Sequence, residues 1–179
     1  MSEYQPKGRT SITKRWLEVG GTLHQITHLG PEPTATGYDY QVETFKIKGE
    51  LGDVLDAALV TIGPAGWTPP QRVDREGLIL DFPMKGDGYF VCMYPHGTLW
   101  IKNFNDRNSD QNNRAFFYRK GCFIFWKAGP RGLTFVEVCS PPYKLGDLKN
   151  LDINSSEVPI KFKGIYKKMV DQILLPEGY

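Results

Sequence analysis

Glycine and proline cut this sequence into short apolar runs, and that punctuation constrains the fold more than any other feature. There are 19 Gly and 13 Pro among 179 residues, both above average for the length. The runs between them cover residues 21–28, 39–48, 55–62, 77–82, 88–94, 98–104, 115–118, 122–127 and 133–139. Turn signals separate them: Gly63-Pro64, Pro69-Pro70, Lys85-Gly86-Asp87-Gly88, Pro95-His96-Gly97 and Gly129-Pro130-Arg131-Gly132. Many short strands with turn residues between them predict an all-β sandwich or barrel. The loop from Tyr94 to Thr98, between two aromatic strands, reads as a hairpin. Residues 50–58 could hold a short helical turn, but the LDAALVTI portion reads better as a strand. Helical spacing appears in 163–175, where Ile165, Met169 and Ile173, with Val170 beside them, share one side. Pro176 ends that pattern. Residues 106–114 are polar and predict a long loop.

Several classes are excluded. The chain has the size of one domain, with 40% hydrophobic and 13% aromatic residues, too rich for a disordered protein. No stretch approaches the ~20 apolar residues of a membrane-spanning helix. The best candidate, 54–62, contains Asp56 and stops at Gly63-Pro64. The first sixteen residues lack an apolar signal-peptide core, so the default expectation is a cytoplasmic location. The net charge is +2 with basic residues spread along the chain, which argues against a nucleic-acid partner. Lys161, Lys163, Lys167 and Lys168 read as a solvated face. Cys92, Cys122 and Cys139 are odd in number and have no short spacing, so they predict buried thiols rather than disulfides or a thiolate zinc site.

The order of pieces resembles the cupin superfamily, small β-barrels built from two motifs. The first family motif runs Gly, five residues, His, one residue, His, three or four residues, Glu, six residues, Gly. Here Gly66 leads to Arg72, Asp74, Ile79 and Gly86. The second runs Gly, five residues, Pro, one residue, Gly, two residues, His, three residues, Asn. Here Gly121 leads to Lys127, Gly129, Gly132 and Val136. The surrounding text, IGPAGWTPP, KGCFIFWKAG and LTFVEVCSPPY, is similar as well. The resemblance covers residues 55–147. It implies a cupin-like β-barrel (a jelly roll, or double-stranded β-helix) at 19–162, with an N-terminal arm at 1–18 and a C-terminal helix and tail at 163–179. It also implies a homodimer, with strands 21–28 and 39–48 covering open edges.

The departures from the motifs bear on chemistry. At the ligand positions, Ile79 and Gly132 offer no donor atom and Arg72 does not ordinarily bind a metal, which leaves Asp74. The expectation is a barrel with no metal and no other cofactor. Its interior would still hold a small polar or anionic organic molecule, carbohydrate-like ones included, by hydrogen bonds, stacking and an ionic clamp. The motif positions nominate Arg72 and Lys127 to grip an anion, and Asp74 to orient it or act as a base. A plain salt bridge between Arg72 and Asp74 is the alternative. Glu137, a charged residue in the apolar FVEV, either faces the cavity or lies on an exposed strand face. Trp100, Tyr118 and Trp126 are candidate ligand contacts and Tyr89 a candidate acid, each of which could instead be core. Phe90, Cys92 and Tyr94 share one strand face. His24 and His28 leave three readings open: a metal pair, an acid or base in the barrel mouth, or structural and surface residues. His96 falls at a predicted hairpin tip. Asp74, Glu137, Tyr89 and His28 are thus the candidate catalytic groups. The function they suggest is an isomerase, epimerase or lyase working without a metal, and the alternative is a non-catalytic ligand-binding or assembly module.

Overall fold

The computed structural model describes residues 14–19, 22–31, 37–49, 52–107, 115–144 and 146–171. Among these residues ten strands and one helix follow in order. They are β1 (Lys14–Val19), β2 (Thr22–Pro31), β3 (Tyr40–Gly49), β4 (Gly52–Ile62), β5 (Gln71–Val73), β6 (Leu78–Met93), β7 (Leu99–Asn105), β8 (Phe116–Tyr118), β9 (Phe123–Ser140), β10 (Leu148–Asn150) and α1 (Ile160–Asp171). Every pairing is antiparallel.

Two long strands hold the architecture together. The runs 77–82 and 88–94 are one bent strand, β6, and the runs 122–127 and 133–139 are one bent strand, β9. The glycine clusters between them are bends rather than chain reversals. Leu78–Gly86 pairs with Leu133–Ser140, Gly88–Met93 pairs with Phe123–Ala128, and residues 129–132 bulge out opposite Asp87. Gly86 sits at φ +96°, and a Cβ there would lie 2.0 Å from the Gly132 carbonyl oxygen, so the bend admits only glycine. Arg131 locks the bulge with an ion pair to Asp87 at 3.1 Å and a hydrogen bond to the Gly86 carbonyl at 3.0 Å.

The bends fold the sheet into two layers. One runs β1-β2-β3-β4-β9-β6-β8, using the second half of β9 and the first half of β6. The other runs β10-β5-β9-β6-β7, using the remaining halves. Between the layers lies a core of Val60, Ile79, Phe90, Phe116, Tyr118, Ile124, Trp126 and Phe135. Phe90 and Cys92 face this core while Val91 and Met93 face away, as the expected alternation requires. The outward side of the second layer is covered by α1, through Phe162, Tyr166 and Met169 packed on Val91, Met93 and Phe125.

Some expectations shift. The helix begins at Ile160, directly after Pro159, and its buried stripe is Phe162, Tyr166 and Met169, with Ile165 and Val170 only flanking it. The predicted stop at Pro176 lies outside the described residues, as do Ile173 and most of the 106–114 loop. β1 lies largely in the segment expected to be an arm, and pairs with β2. The described residues of 50–58 carry no helix and belong to β4. The Tyr94–Thr98 hairpin is present, closed by Tyr94 N–H to the Thr98 carbonyl at 2.9 Å, with Gly97 at φ +85°. The three cysteines are buried free thiols. No helix among the described residues is long and apolar enough to cross a membrane.

Candidate active site

The β3–β4 side of the first layer and the facing part of the second enclose a cavity of about 570 Å³. Alternate strand residues make most of its walls. β3 contributes Tyr40, Val42, Thr44, Phe45 and Lys46, β4 contributes Asp56, Ala57, Ala58 and Val60, β9 contributes Ile124, Trp126, Phe135, Glu137 and Cys139, and β2 contributes Leu29. Tyr118 of β8 lies beside Glu137. Thr68, Gln71, Tyr143 and Asn150 add to the polar lining, and the Gln71 amide donates to the Asn150 side-chain oxygen at 2.9 Å.

Behind the wall lies Asp81, which is 0% exposed. The inward residues of this part of β6 are Ile79, Asp81 and Pro83, so the register drives a carboxyl group into the core, directly across from Glu137 on β9. Two like charges opposite one another on neighbouring strands repel. The hydrogen bonds show how the pair is accommodated. The Trp126 indole N–H donates to Asp81 Oδ2 at 2.7 Å. The Tyr118 hydroxyl lies 3.1 Å from each Asp81 oxygen and 2.9 Å from Glu137 Oε2. A hydroxyl has one proton and cannot serve acceptors on both sides. The network closes when one of the two carboxyl groups keeps its own proton and donates it to the Tyr118 oxygen, while Tyr118 donates to the other. Burial, and then the Glu137 charge, push the Asp81 acid well above the usual carboxylate range, which assigns that proton to Asp81. Burial and the two carboxyl groups likewise raise the Tyr118 phenol, so it remains a donor. The Cys139 thiol lies 3.8 Å from Glu137 Oε1 and is held protonated by burial and that carboxylate.

The ring geometry fixes this chain. Trp126 stacks on Phe135 at 4.7 Å and packs at a tilt against Phe90 at 4.8 Å, and its backbone N–H donates to the buried Thr68 hydroxyl at 2.9 Å. Phe90 in turn packs against Tyr118 and Phe116. The indole N–H therefore has little freedom to leave Asp81.

Of the residues singled out from sequence, the structure brings Tyr118, Trp126 and Glu137 together and leaves the others elsewhere. Arg72 and Asp74 lie outside the cavity. The Arg72 Nε donates to Asp74 at 2.6 Å, and the guanidinium also pairs with Glu157 at 3.0 Å. That fork holds Asp74 below the usual carboxylate range. The reason is parity: on a three-residue strand Gln71 faces in, so Arg72 faces out. Lys127 also points outward, with its ammonium 4.6 Å from the Trp67 ring and bonded to the Ala65 carbonyl, and burial lowers its pKa. Tyr89 packs in the cluster beneath α1. Trp100 packs edge-on to Phe90 at 6.1 Å and lines no part of the cavity. His28 pairs with Glu43 at 2.6 Å and stacks on Phe45. His24 is on β2, facing Leu17 of β1 in register. His96 is exposed at the hairpin tip, stacked on Tyr94. Sequence reasoning missed Asp81, whose signal was a lone acid inside the apolar run LILDF.

No family model and no curated protein matches the sequence. Solved structures do. Oxalate decarboxylase from Bacillus subtilis superposes with a TM-score of 0.56 at 10% identity, over 80% of this chain and 33% of that one. Protein SO0799 from Shewanella oneidensis gives 0.53 at 14% identity, over 89% and 90% of the two chains. An oxalate oxidase in complex with the substrate analogue glycolate gives 0.52 at 13% identity, over 79% and 76%. The fold is a cupin barrel. At these identities the likeness concerns the fold alone, and the chain spans only a third of the decarboxylase and about half of another oxalate oxidase chain.

The metal that the cupin resemblance implies does not fit the residues at the motif positions. Ile79 is apolar, Gly132 has no side chain, Arg72 and Asp74 face outward, and among the described residues no group of three or more His, Cys, Asp or Glu side chains could hold a metal ion.

Proposed function

We infer that this cupin barrel is a small-molecule isomerase, epimerase or lyase that works by proton transfer at Glu137, without a metal of its own. One observation carries the reading: Glu137 faces a largely apolar cavity and stands at the end of a hydrogen-bonded chain that runs through Tyr118 to the fully buried Asp81. A carboxylate in an apolar cavity is a stronger base than one in water. In this reading Glu137 removes a proton from a carbon beside a carbonyl, and the electron pair moves onto the carbonyl oxygen. The same proton is then returned to another carbon or face, or the intermediate expels a leaving group. Tyr118 and Asp81 hold the carboxylate in place and stabilise its charge.

The lining narrows the substrate class. Among the described lining residues the charged side chains are Lys46, Asp56 and Glu137, and most of the remainder are apolar or aromatic. The cations once assigned to an anion clamp, Arg72 and Lys127, are outside. A compact, mostly apolar molecule with a neutral carbonyl end fits this surface better than a phosphate or a dicarboxylate does.

The test uses the Trp126 indole N–H as a nuclear magnetic resonance reporter while a panel of cyclic ketones and lactones is titrated in. Binders are then incubated in deuterium oxide. Enzyme-dependent exchange of the hydrogen beside the carbonyl, abolished in Glu137→Gln with binding retained, is the expected result. Binding with no exchange at any pH would instead identify a ligand-binding module and refute the catalytic assignment.

A further inference from the structure

The cavity has a second polar group of side chains, which the chain from Asp81 to Glu137 does not use. β10, β5 and β9 pair in register, and Asn150, Gln71 and Ile124 form one row across them. Gln71 and Asn150 line the cavity, while their neighbours Arg72 and Lys149 face outward and both pair with Glu157. The next row, Leu148 and Val73, is apolar, and Ile124 is buried in the core. Two carboxamides thus interrupt a wall of aliphatic side chains. Their backbones are fixed by the ladder on both sides of β5 and by the Leu151 N–H, which donates to the Pro70 carbonyl at 2.8 Å.

The two amides satisfy each other only in part. Gln71 donates one N–H to Asn150 Oδ1 at 2.9 Å, and among the described residues that is the side-chain bond each of them makes. It leaves an acceptor, Gln71 Oε1, and a donor, the Asn150 amide hydrogens, on adjacent strands. Turning both amides over exchanges the roles and leaves the same combination. A donor beside an acceptor complements a cis-amide, which presents its N–H and its C=O on one edge. An open-chain amide disfavours that form, and a small ring imposes it.

We propose that Gln71 and Asn150 bind the amide edge of a lactam or another small cyclic amide, one accepting from the ring N–H and the other donating to the ring carbonyl. The proposal names a substrate class for the same cavity and rests on the proton-transfer reading for turnover, though not for binding. At about 570 Å³ the cavity has room for an apolar substituent beside one small ring. Stacked sheets lie about 10 Å apart, so a substituted ring anchored on the second layer spans toward Glu137 on the first. A lactone of the same shape sets a lone pair, and an N-methyl lactam a methyl group, where the pair expects an N–H. Each loses a hydrogen bond and leaves an amide oxygen without its donor.

Calorimetric titration of the full chain tests the proposal with α-benzyl-δ-valerolactam, the matching lactone and the N-methyl lactam. The wild type should bind the lactam about tenfold more tightly than either analogue. Gln71→Met, with a side chain of similar length and no amide, should remove that preference by bringing the lactam down to the lactone. Asn150→Ala should remove it independently, with circular dichroism confirming that both variants are folded. Equal binding of lactam and lactone overturns the proposal, as does a preference that survives in either folded variant, or a wild type that takes up no lactam at millimolar concentration. Deuterium exchange at the carbon beside the carbonyl separates the two readings. Preference for the lactam without exchange upholds the amide site and removes the catalytic role of Glu137, whereas equal binding and exchange of lactam and lactone does the reverse.

Discussion

Replacing Asp81 with Asn should turn a pH-dependent stability into a flatter one. If Asp81 holds its proton in the folded barrel, Asn is close to isosteric with it. The Asn amide can donate to the Tyr118 oxygen as the acid does, and its carbonyl oxygen can accept from the Trp126 indole, now 2.7 Å from Asp81 Oδ2. The variant therefore folds. The sign follows from proton counting. Unfolding returns Asp81 to its ordinary value of 3.8, whereas burial and Glu137 raise it well above that in the fold. Between those two values the folded chain binds one more proton than the unfolded chain, so stability falls as pH rises, by about 1.4 kcal/mol per pH unit. The contribution is fully present below 3.8 and lost as pH climbs toward the folded value. Asn has no proton to lose, so the stability of the variant minus that of wild type should grow with pH at that slope. The surrounding groups Tyr118, Glu137, Cys139 and Asp56 remain in both proteins, and because Glu137 is coupled to Asp81, Glu137→Gln and the Asp81→Asn, Glu137→Gln double variant are measured beside Asp81→Asn to separate the two titrations. Urea denaturation at several pH values from about 4.5 upward should show that difference growing by about 1.4 kcal/mol per pH unit until the folded-state proton is lost. A difference that does not vary with pH would show that Asp81 is ionised in the barrel, and the proposed chain from Asp81 to Glu137 would fail.

Further outcomes are expected on the same grounds. Trp126→Phe keeps the stacking on Phe135 but strands Asp81 Oδ2, and should cost about 1–3 kcal/mol in chemical denaturation. Phe162→Ala removes a fully buried ring from between α1 and Phe123 and Phe125, and should cost about 3–5 kcal/mol in the same assay. Asp147→Ala leaves the buried Arg75 guanidinium without the carboxylate 3.1 Å away, and should lose roughly 3 kcal/mol, with no recovery in high salt. Gly86→Ala would force a Cβ to within 2.0 Å of the Gly132 carbonyl oxygen at a positive φ, and should yield no soluble folded protein on expression.

Much of this architecture is legible in the residues because strand alternation and turn chemistry are local. The Gly97 hairpin, the burial of Phe90 and Cys92 and the oddity of a carboxylate in FVEV needed only neighbouring positions. What was not legible depended on parity and on bends. Arg72 and Asp74 were placed inside by a motif frame, but a strand as short as β5 gives no pattern from which to tell inside from outside. Asp81 sits in a run where Leu78, Leu80 and Phe82 are also apolar, so with both faces hydrophobic the sequence did not say which one was the core. The glycine clusters near 86 and 131 look like turns on paper. Only the pairing of the same two strands on either side of them shows that they are creases.

Those creases also govern how anything reaches Glu137. Because β6 and β9 pass unbroken from one layer to the other, the barrel has no hinge line along which the layers could part like a clamshell. Spreading them would unzip the central ribbon and expose the aromatic core, which amounts to unfolding the domain. A guest must therefore enter and leave with the layers held together, past lining side chains such as Lys46 and Asp56, which stand in register across β3 and β4. Any gating then falls to side chains, and the backbone around the buried proton can stay rigid throughout.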